Sequence, residues 1–171
     1  MIGLDLDTRD TRAPAGGHQN GFGAVSNFLA NPIKNEMGQL VMQGINLFGL
    51  AISNSNLHKR IVELFTIIES FLIKDENEPI LSSIIKYFPK LVSTEYEDRI
   101  KVKNMLTSLY SVRSALIHHG KQKEFEMEEL AMLQQGIRVM ILNCMQQAKK
   151  HETKISLLKA MDQAMDEAFK L

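Results

Sequence analysis

The stretch TEYEDRIKVKNMLTSLYSVRSALIHHG, residues 94–120, decides the fold. Placed on a helical wheel at ~100° per residue, Val102, Met105, Leu106, Leu109, Val112, Leu116 and Ile117 share one broad side. Thr94 followed by Glu97 has the spacing of a capping box, in which side chains satisfy the first free N–H groups. Gly120 supplies a stop, because glycine tolerates the left-handed turn that ends many helices. A long amphipathic helix is therefore expected here. Arg113 falls inside its apolar stripe. A guanidinium in such a place needs a carboxylate partner or a bound anion, because it cannot shed its charge.

Working outward, helical signals continue on both sides. Residues 24–30 predict a short helix that stops before Pro32. Leu40, Ile45, Leu47, Phe48 and Ile52 predict a second over about 36–54, and the Ser53-Asn54-Ser55-Asn56 run ends it and caps the next. Ile61, Phe65, Ile68 and Leu72 are spaced four, three and four apart, which is one helix face. That helix is expected to end near Lys74. Pro79 is read at a first helical position, with Ile80 to Phe88 as a short apolar helix closed by Pro89. After Gly120, Glu124, Glu126, Glu128 and Glu129 gather at the start of a helix and Lys149, Lys150 and His151 at its end, the charge order a helix dipole favours. A last amphipathic helix runs from Ile155 to Phe169. No glycine or proline divides these two, so one bent helix and two separate helices both remain open. No alternating strand pattern competes. The expectation is an all-α bundle of about five to seven helices over residues 36–171. Residues 1–35 form an amino-terminal arm with one short helix, its first 23 residues acidic, glycine-rich and read as flexible.

Composition narrows the function. With 44% hydrophobic and 23% charged residues among 171, the chain has the stock of one globular domain rather than of a disordered segment. Twenty Lys and Arg balance twenty Asp and Glu, so a broadly basic nucleic-acid coat is excluded and any RNA contact must come from a few convergent groups. No apolar run reaches membrane-spanning length, and the basic-then-apolar order of a signal peptide is missing from the start. The single cysteine, Cys144, lies in an apolar run and reads as core. It can form neither an internal disulfide nor a cysteine zinc site, and it suits a reducing, cytoplasmic setting. His18, His58 and His151 share no metal-ligand spacing, and no glycine-rich phosphate loop follows a strand. No metal and no cofactor is expected.

Chemistry concentrates at residues 110–121. Glu69, at the edge of the stripe on the preceding helix, is a partner for Arg113 if the two helices pack, which leaves open a purely structural ion pair. His118 lies five residues beyond Arg113, about 140° round an ideal helix, so the two do not converge within one regular helix. Spacing alone assigns His118 and His119 to a helix terminus that favours cations. Ser114, four residues before His118, shares its face and reads as a solvated residue or as a hydroxyl orienting His118. A serine-hydrolase reading lacks a third group and an oxyanion site. Tyr110, one turn before Arg113, is read as interface packing or a base-stacking ring. Lys121 and Lys123 are read as solvated loop residues or phosphate contacts.

The run Tyr110-Ser-Val-Arg113-Ser-Ala-Leu-Ile-His118-His-Gly120 resembles the arginine-x4-histidine motif of HEPN proteins (higher eukaryotes and prokaryotes nucleotide-binding domain), Apea-like branch. Upstream, Asn46-Leu-Phe-Gly-Leu-Ala51 and Val62-Glu-Leu-Phe-Thr-Ile-Ile-Glu69-Ser-Phe-Leu72 are similar to the paired helices of that family, which carry an apolar-apolar-glutamate signature. The resemblance spans roughly residues 36–150. It implies a dimeric helical bundle in which two arginine-histidine motifs meet at the interface. It also implies a metal-independent endoribonuclease of defence or toxin–antitoxin type, with Arg113 and His118 catalytic and Ser114, His119, Tyr110, Glu69 and Lys121 supporting or touching substrate. RNA is then the substrate and an antitoxin or sensor a further partner. A catalytically inactive RNA- or nucleotide-binding or dimerisation module is the alternative. Many active relatives carry Asn, Asp or His directly after the arginine, where this chain has Ser114. The family spacing selects His118 over its neighbour His119.

Overall fold

The computed structural model describes the backbone of residues 17–168 and the side chains of residues 23–165. Over these residues the chain forms seven helices and no strand: α1 (Gly17–Ala30), α2 (Glu36–Ser53), α3 (Leu57–Leu72), α4 (Ile80–Val92), α5 (Tyr96–His119), α6 (Met127–Gln147) and α7 (Lys154–Ala168). No helix among the described residues is long and apolar enough to cross a membrane.

The chain divides into two compact units, one from Gln43–Ile141 and the other from the residues before and after it. The division falls within α2 and within α6, so each of these helices contributes to both.

The Gln43–Ile141 unit is built on α3, α4 and α5, which pack against one another. Their spacing explains why. Ile61, Phe65, Ile68 and Leu72 are all buried on α3, as are Ile84, Phe88 and Leu91 on α4 and Val102, Met105, Leu109 and Val112 on α5. Burying side chains of this size contributes roughly 1.5–3 kcal/mol each. Helix α3 starts where the Asn run places it: the Asn56 side chain accepts from the N–H of Lys59. At the end of α5, Gly120 adopts φ 62°, and the N–H groups of Gly120 and Lys121 return to the carbonyls of Leu116 and Ala115. Gly44 allows a close approach: a Cβ there would lie 2.7 Å from the ring of buried Phe71.

In the other unit, Asn35 caps α2 through the N–H of Gly38 (2.7 Å), and its amide donates to the carbonyl of Ala148 at 2.9 Å. The N–H of Met37 reaches the carbonyl of Glu152 at 2.9 Å. The core is drawn from Phe28, Met37, Val41, Leu157 and Leu158. Cys144 is buried there as well, and burial pushes its thiol up to about 12.

Several expectations change. Helix α1 begins at Gly17, seven residues before the predicted start, and so includes part of the arm read as flexible; residues 1–16 lie outside the described residues. The Thr94–Glu97 capping box does not form. The N-cap is Glu95, whose side chain makes no cap bond, while the Thr94 hydroxyl points to Glu95. Pro79 is the N-cap of α4 rather than its first helical residue. Pro89 does not close α4 but lies buried inside it, and the N–H of Ser93 donates to the carbonyl of Pro89 at 3.1 Å. Helices α6 and α7 are separate, and the Thr153 hydroxyl, accepting from the N–H of Ser156, opens the second.

Candidate functional site

The site starts from the arginine in the apolar stripe. In the α3–α5 packing, Arg113 Nη2 donates to Glu69 Oε1 at 2.9 Å, with the side chains only 13% and 21% exposed. The guanidinium carbon lies 5.3 Å from the centre of the Tyr110 ring, one turn back on α5, a cation–π distance. Tyr110 in turn meets Phe65 edge-on, with ring centres 5.5 Å apart. Arg113 Nε is buried and has no hydrogen-bond partner among the described residues. The cradle therefore satisfies part of the guanidinium and leaves its buried Nε–H unused.

Electrostatics at this pair run against simple stabilisation. Burial raises the Glu69 carboxyl above its ordinary range, and the Arg113 charge only partly offsets that rise. Desolvation thus outweighs attraction, the usual balance for a pair taken out of water.

His118 lies elsewhere. It is exposed at the end of α5, beside exposed His119, with ring centres 6.4 Å apart. No hydrogen bond, ion pair or ring contact joins either histidine to Arg113 or Glu69 among the described residues, and the ~140° offset of an ideal helix persists because α5 runs unbroken to His119. Ser114 is half-buried and makes no hydrogen bond to His118, so the orienting role for its hydroxyl is not seen. Lys121 is exposed just past Gly120. Of the residues singled out in the sequence, the fold brings together Arg113, Glu69 and Tyr110. It leaves His118, His119 and Lys121 exposed at the end of the same helix.

The fold also adds residues that the sequence did not single out as a group. His58, at the start of α3, bonds through Nε2 to the carbonyl of Lys123 at 3.0 Å and meets the Phe125 ring edge-on at 5.3 Å. Lys123 Nζ donates to the Ser111 hydroxyl at 2.8 Å. The α5–α6 loop is thus tied to the start of α3 and to the Ser111 side chain of α5. Ser111 and His118 are seven residues apart and so share a face of α5, away from Arg113. On the helical wheel Ser111 falls opposite the apolar stripe, a signal that was there to be read; the path of the loop has no such local signal.

No group of three or more His, Cys, Asp or Glu among the described residues could hold a metal ion. Comparisons of the chain with protein-family models, with curated proteins and with solved structures found no match.

Proposed function

We propose that this chain is a HEPN-like, metal-independent endoribonuclease of defence or toxin–antitoxin type, acting in the cytoplasm as a homodimer. Its composite site takes Arg113 from one copy and His118 from the other. The observation that supports it is the cradle. A guanidinium is held in an apolar stripe although its own desolvation makes it costly, and it keeps one buried donor unused. Such an arrangement is understandable if the group must later meet an anion.

The chemistry follows from RNA itself, whose 2′-hydroxyl is an internal nucleophile. His118 takes the proton from that hydroxyl, and the 2′-oxygen attacks the adjacent phosphorus. The bond to the 5′-oxygen breaks, the leaving oxygen takes a proton from solvent water, and the protonated His118 returns its proton to solvent. The products are a 2′,3′-cyclic phosphate and a 5′-hydroxyl. Imidazole suits the proton transfers because it titrates near neutrality. Arg113 holds the scissile phosphate and stabilises charge on the phosphorane. Glu69 and Tyr110 are positioning residues, Ser114 and His119 flank the motif, and Lys121 contacts the phosphate backbone. An antitoxin or sensor protein would control the activity.

A second reading is a catalytically inactive HEPN-type module that binds RNA or nucleotide or serves to dimerise. The observation favouring it is the engagement of Arg113 by Glu69 on a different side of α5 from His118. One experiment separates the two. A labelled RNA pool is incubated with the protein in EDTA, and the ends of any products are identified. The nuclease reading expects cyclic-phosphate ends that disappear in His118→Ala, with the unfolding midpoint unchanged because His118 is exposed. Intact RNA with bound protein supports the inactive module. Cleavage that persists in both His118→Ala and Arg113→Ala rejects the site.

A further inference from the structure

A cleft of about 450 Å³ opens between α1 and the end of α6, wholly within the unit that contains both chain ends. That volume is within the ~300–1,000 Å³ typical of small-molecule sites. Its apolar wall comes from Phe28 and Met145, which are buried, with Ile33 half-buried beside them. Its polar rim comes from Asn27 on α1 and Asn31 just past its end, and from Gln146 and Lys149, three apart where α6 ends.

Three features give this cleft a chemical preference. Among the described residues no Asp or Glu lines it, and Lys149 is the charged side chain on its rim. The side chains of Asn27, Asn31, Gln146 and Lys149 make no hydrogen bond or ion pair among the described residues. In contrast, Lys101 is paired with Asp98 and Lys123 with Ser111. The carbonyls of Cys144, Gln146 and Gln147 are occupied by the N–H groups of Ala148, Lys149, Lys150 and His151. The helix end therefore presents few free acceptors that would repel an anion or hold a cation.

We propose that this cleft binds a small amphipathic anion, in class a medium-chain monocarboxylate. Its alkyl body lies on Phe28, Ile33 and Met145, and its carboxylate meets Lys149 with amide donors from the rim. A neutral or cationic ligand of the same shape leaves the lysine uncompensated. The site is independent of the Arg113 cradle, and its test does not depend on RNA cleavage.

The experiment is calorimetric titration of the full chain with hexanoate, octanoate and decanoate below their micelle concentrations, against octylammonium and 1-octanol. Affinity is expected to rise about fourfold per added methylene, with octanoate at least about tenfold tighter than octylammonium, the effect of one charge-assisted contact. Lys149→Glu is expected to reverse that preference. Ala24→Trp, at an exposed rim position, is expected to block octanoate while leaving the unfolding midpoint in place. Equal binding of octanoate and octylammonium overturns the proposal, as does octanoate binding unchanged in both variants. A chain lacking residues 1–16 that binds octanoate more than about tenfold tighter would identify the chain's own amino-terminal segment as the occupant. Octanoate-driven dissociation of a dimer would identify a second copy. Either result overturns the small-anion assignment.

Discussion

Removing Glu69 and Arg113 singly and together is expected to give an asymmetric stability pattern. In Glu69→Leu the guanidinium loses the carboxylate at 2.9 Å and stays charged, because arginine does not deprotonate in proteins. Breaking one side of a buried pair costs about 3–5 kcal/mol. The low end applies here, since Arg113 is 13% exposed and the Tyr110 ring still offers about 0.5–1 kcal/mol. A loss of about 3 kcal/mol corresponds to a fall in Tm of roughly 6–12 °C for a chain of this size. In Arg113→Met the stranded group is a carboxyl already raised by burial, and it neutralises by taking a proton. Its cost is therefore smaller, about 1–2 kcal/mol, the lower part of the ~1–3 kcal/mol range for a buried polar group left unsatisfied. The double variant Glu69→Leu/Arg113→Met removes both desolvation penalties and is expected to be neutral or up to about 1 kcal/mol more stable than the wild type.

The assay is urea unfolding followed by circular dichroism, with the slope checked so that only midpoint changes are read as stability. Arg113→Met costing more than Glu69→Leu would refute the asymmetry. A double variant less stable than the wild type would refute the view that the pair is a net burden. The same samples carry a functional control: a double variant more stable than the wild type but unable to cleave RNA would show stability surrendered for activity.

Two further perturbations test the electrostatics and the packing. Because the Glu69 carboxyl is raised in the folded chain, its contribution is fully present below the unfolded value of about 4.3 and is lost as pH rises through the higher folded value. Wild type should therefore lose stability relative to Glu69→Gln between pH 4 and pH 7, and unfolding midpoints at intervals across that range check the sign; a relative gain for wild type would mean that Arg113 dominates. Gly44→Ala would drive a Cβ to 2.7 Å from the ring of Phe71, itself only 2% exposed, and is expected to cost about 1–3 kcal/mol by overpacking. A midpoint equal to wild type would show that the ring can move aside.

The helices that the sequence revealed are those in which apolar spacing and end signals agree. Ile61, Phe65, Ile68 and Leu72 mark α3, and Asn56 caps it as expected. The early start of α1 was hidden because Gly17, Gly21 and Gly23 each disfavour a helix by about 1 kcal/mol, and spacing gave no counterweight. Pro89 looked like a terminus because proline costs a helical hydrogen bond, yet it is buried in α4 beside Phe88. The break before α7 had no glycine or proline to announce it and depends on the Thr153 side chain. At the site, the Arg113–Glu69 pair was legible because a charge in an apolar stripe demands a partner. The His58 bond to the Lys123 carbonyl was not, because it joins residues 65 apart through a loop whose path no local spacing encodes.

Arg113 and His118 on one uninterrupted helix cannot both reach one phosphodiester if α5 stays as it is. The first is held against Glu69, and the second is exposed beyond the next turn. Either α5 frays at Gly120 or a second copy supplies the missing group, and mixing inactive variants distinguishes these routes. If the site is shared, an equal mixture of Arg113→Ala and His118→Ala chains, exchanged by mild denaturation and refolding, forms heterodimers as about half of its dimers. Each heterodimer has one complete site and one with neither group, so about a quarter of wild-type cleavage should return. If fraying assembles both groups within a chain, every site in the mixture lacks one of them and activity stays at zero. Recovery near a quarter supports the two-copy site; no recovery, from variants shown to exchange, refutes it while leaving the single-chain nuclease open.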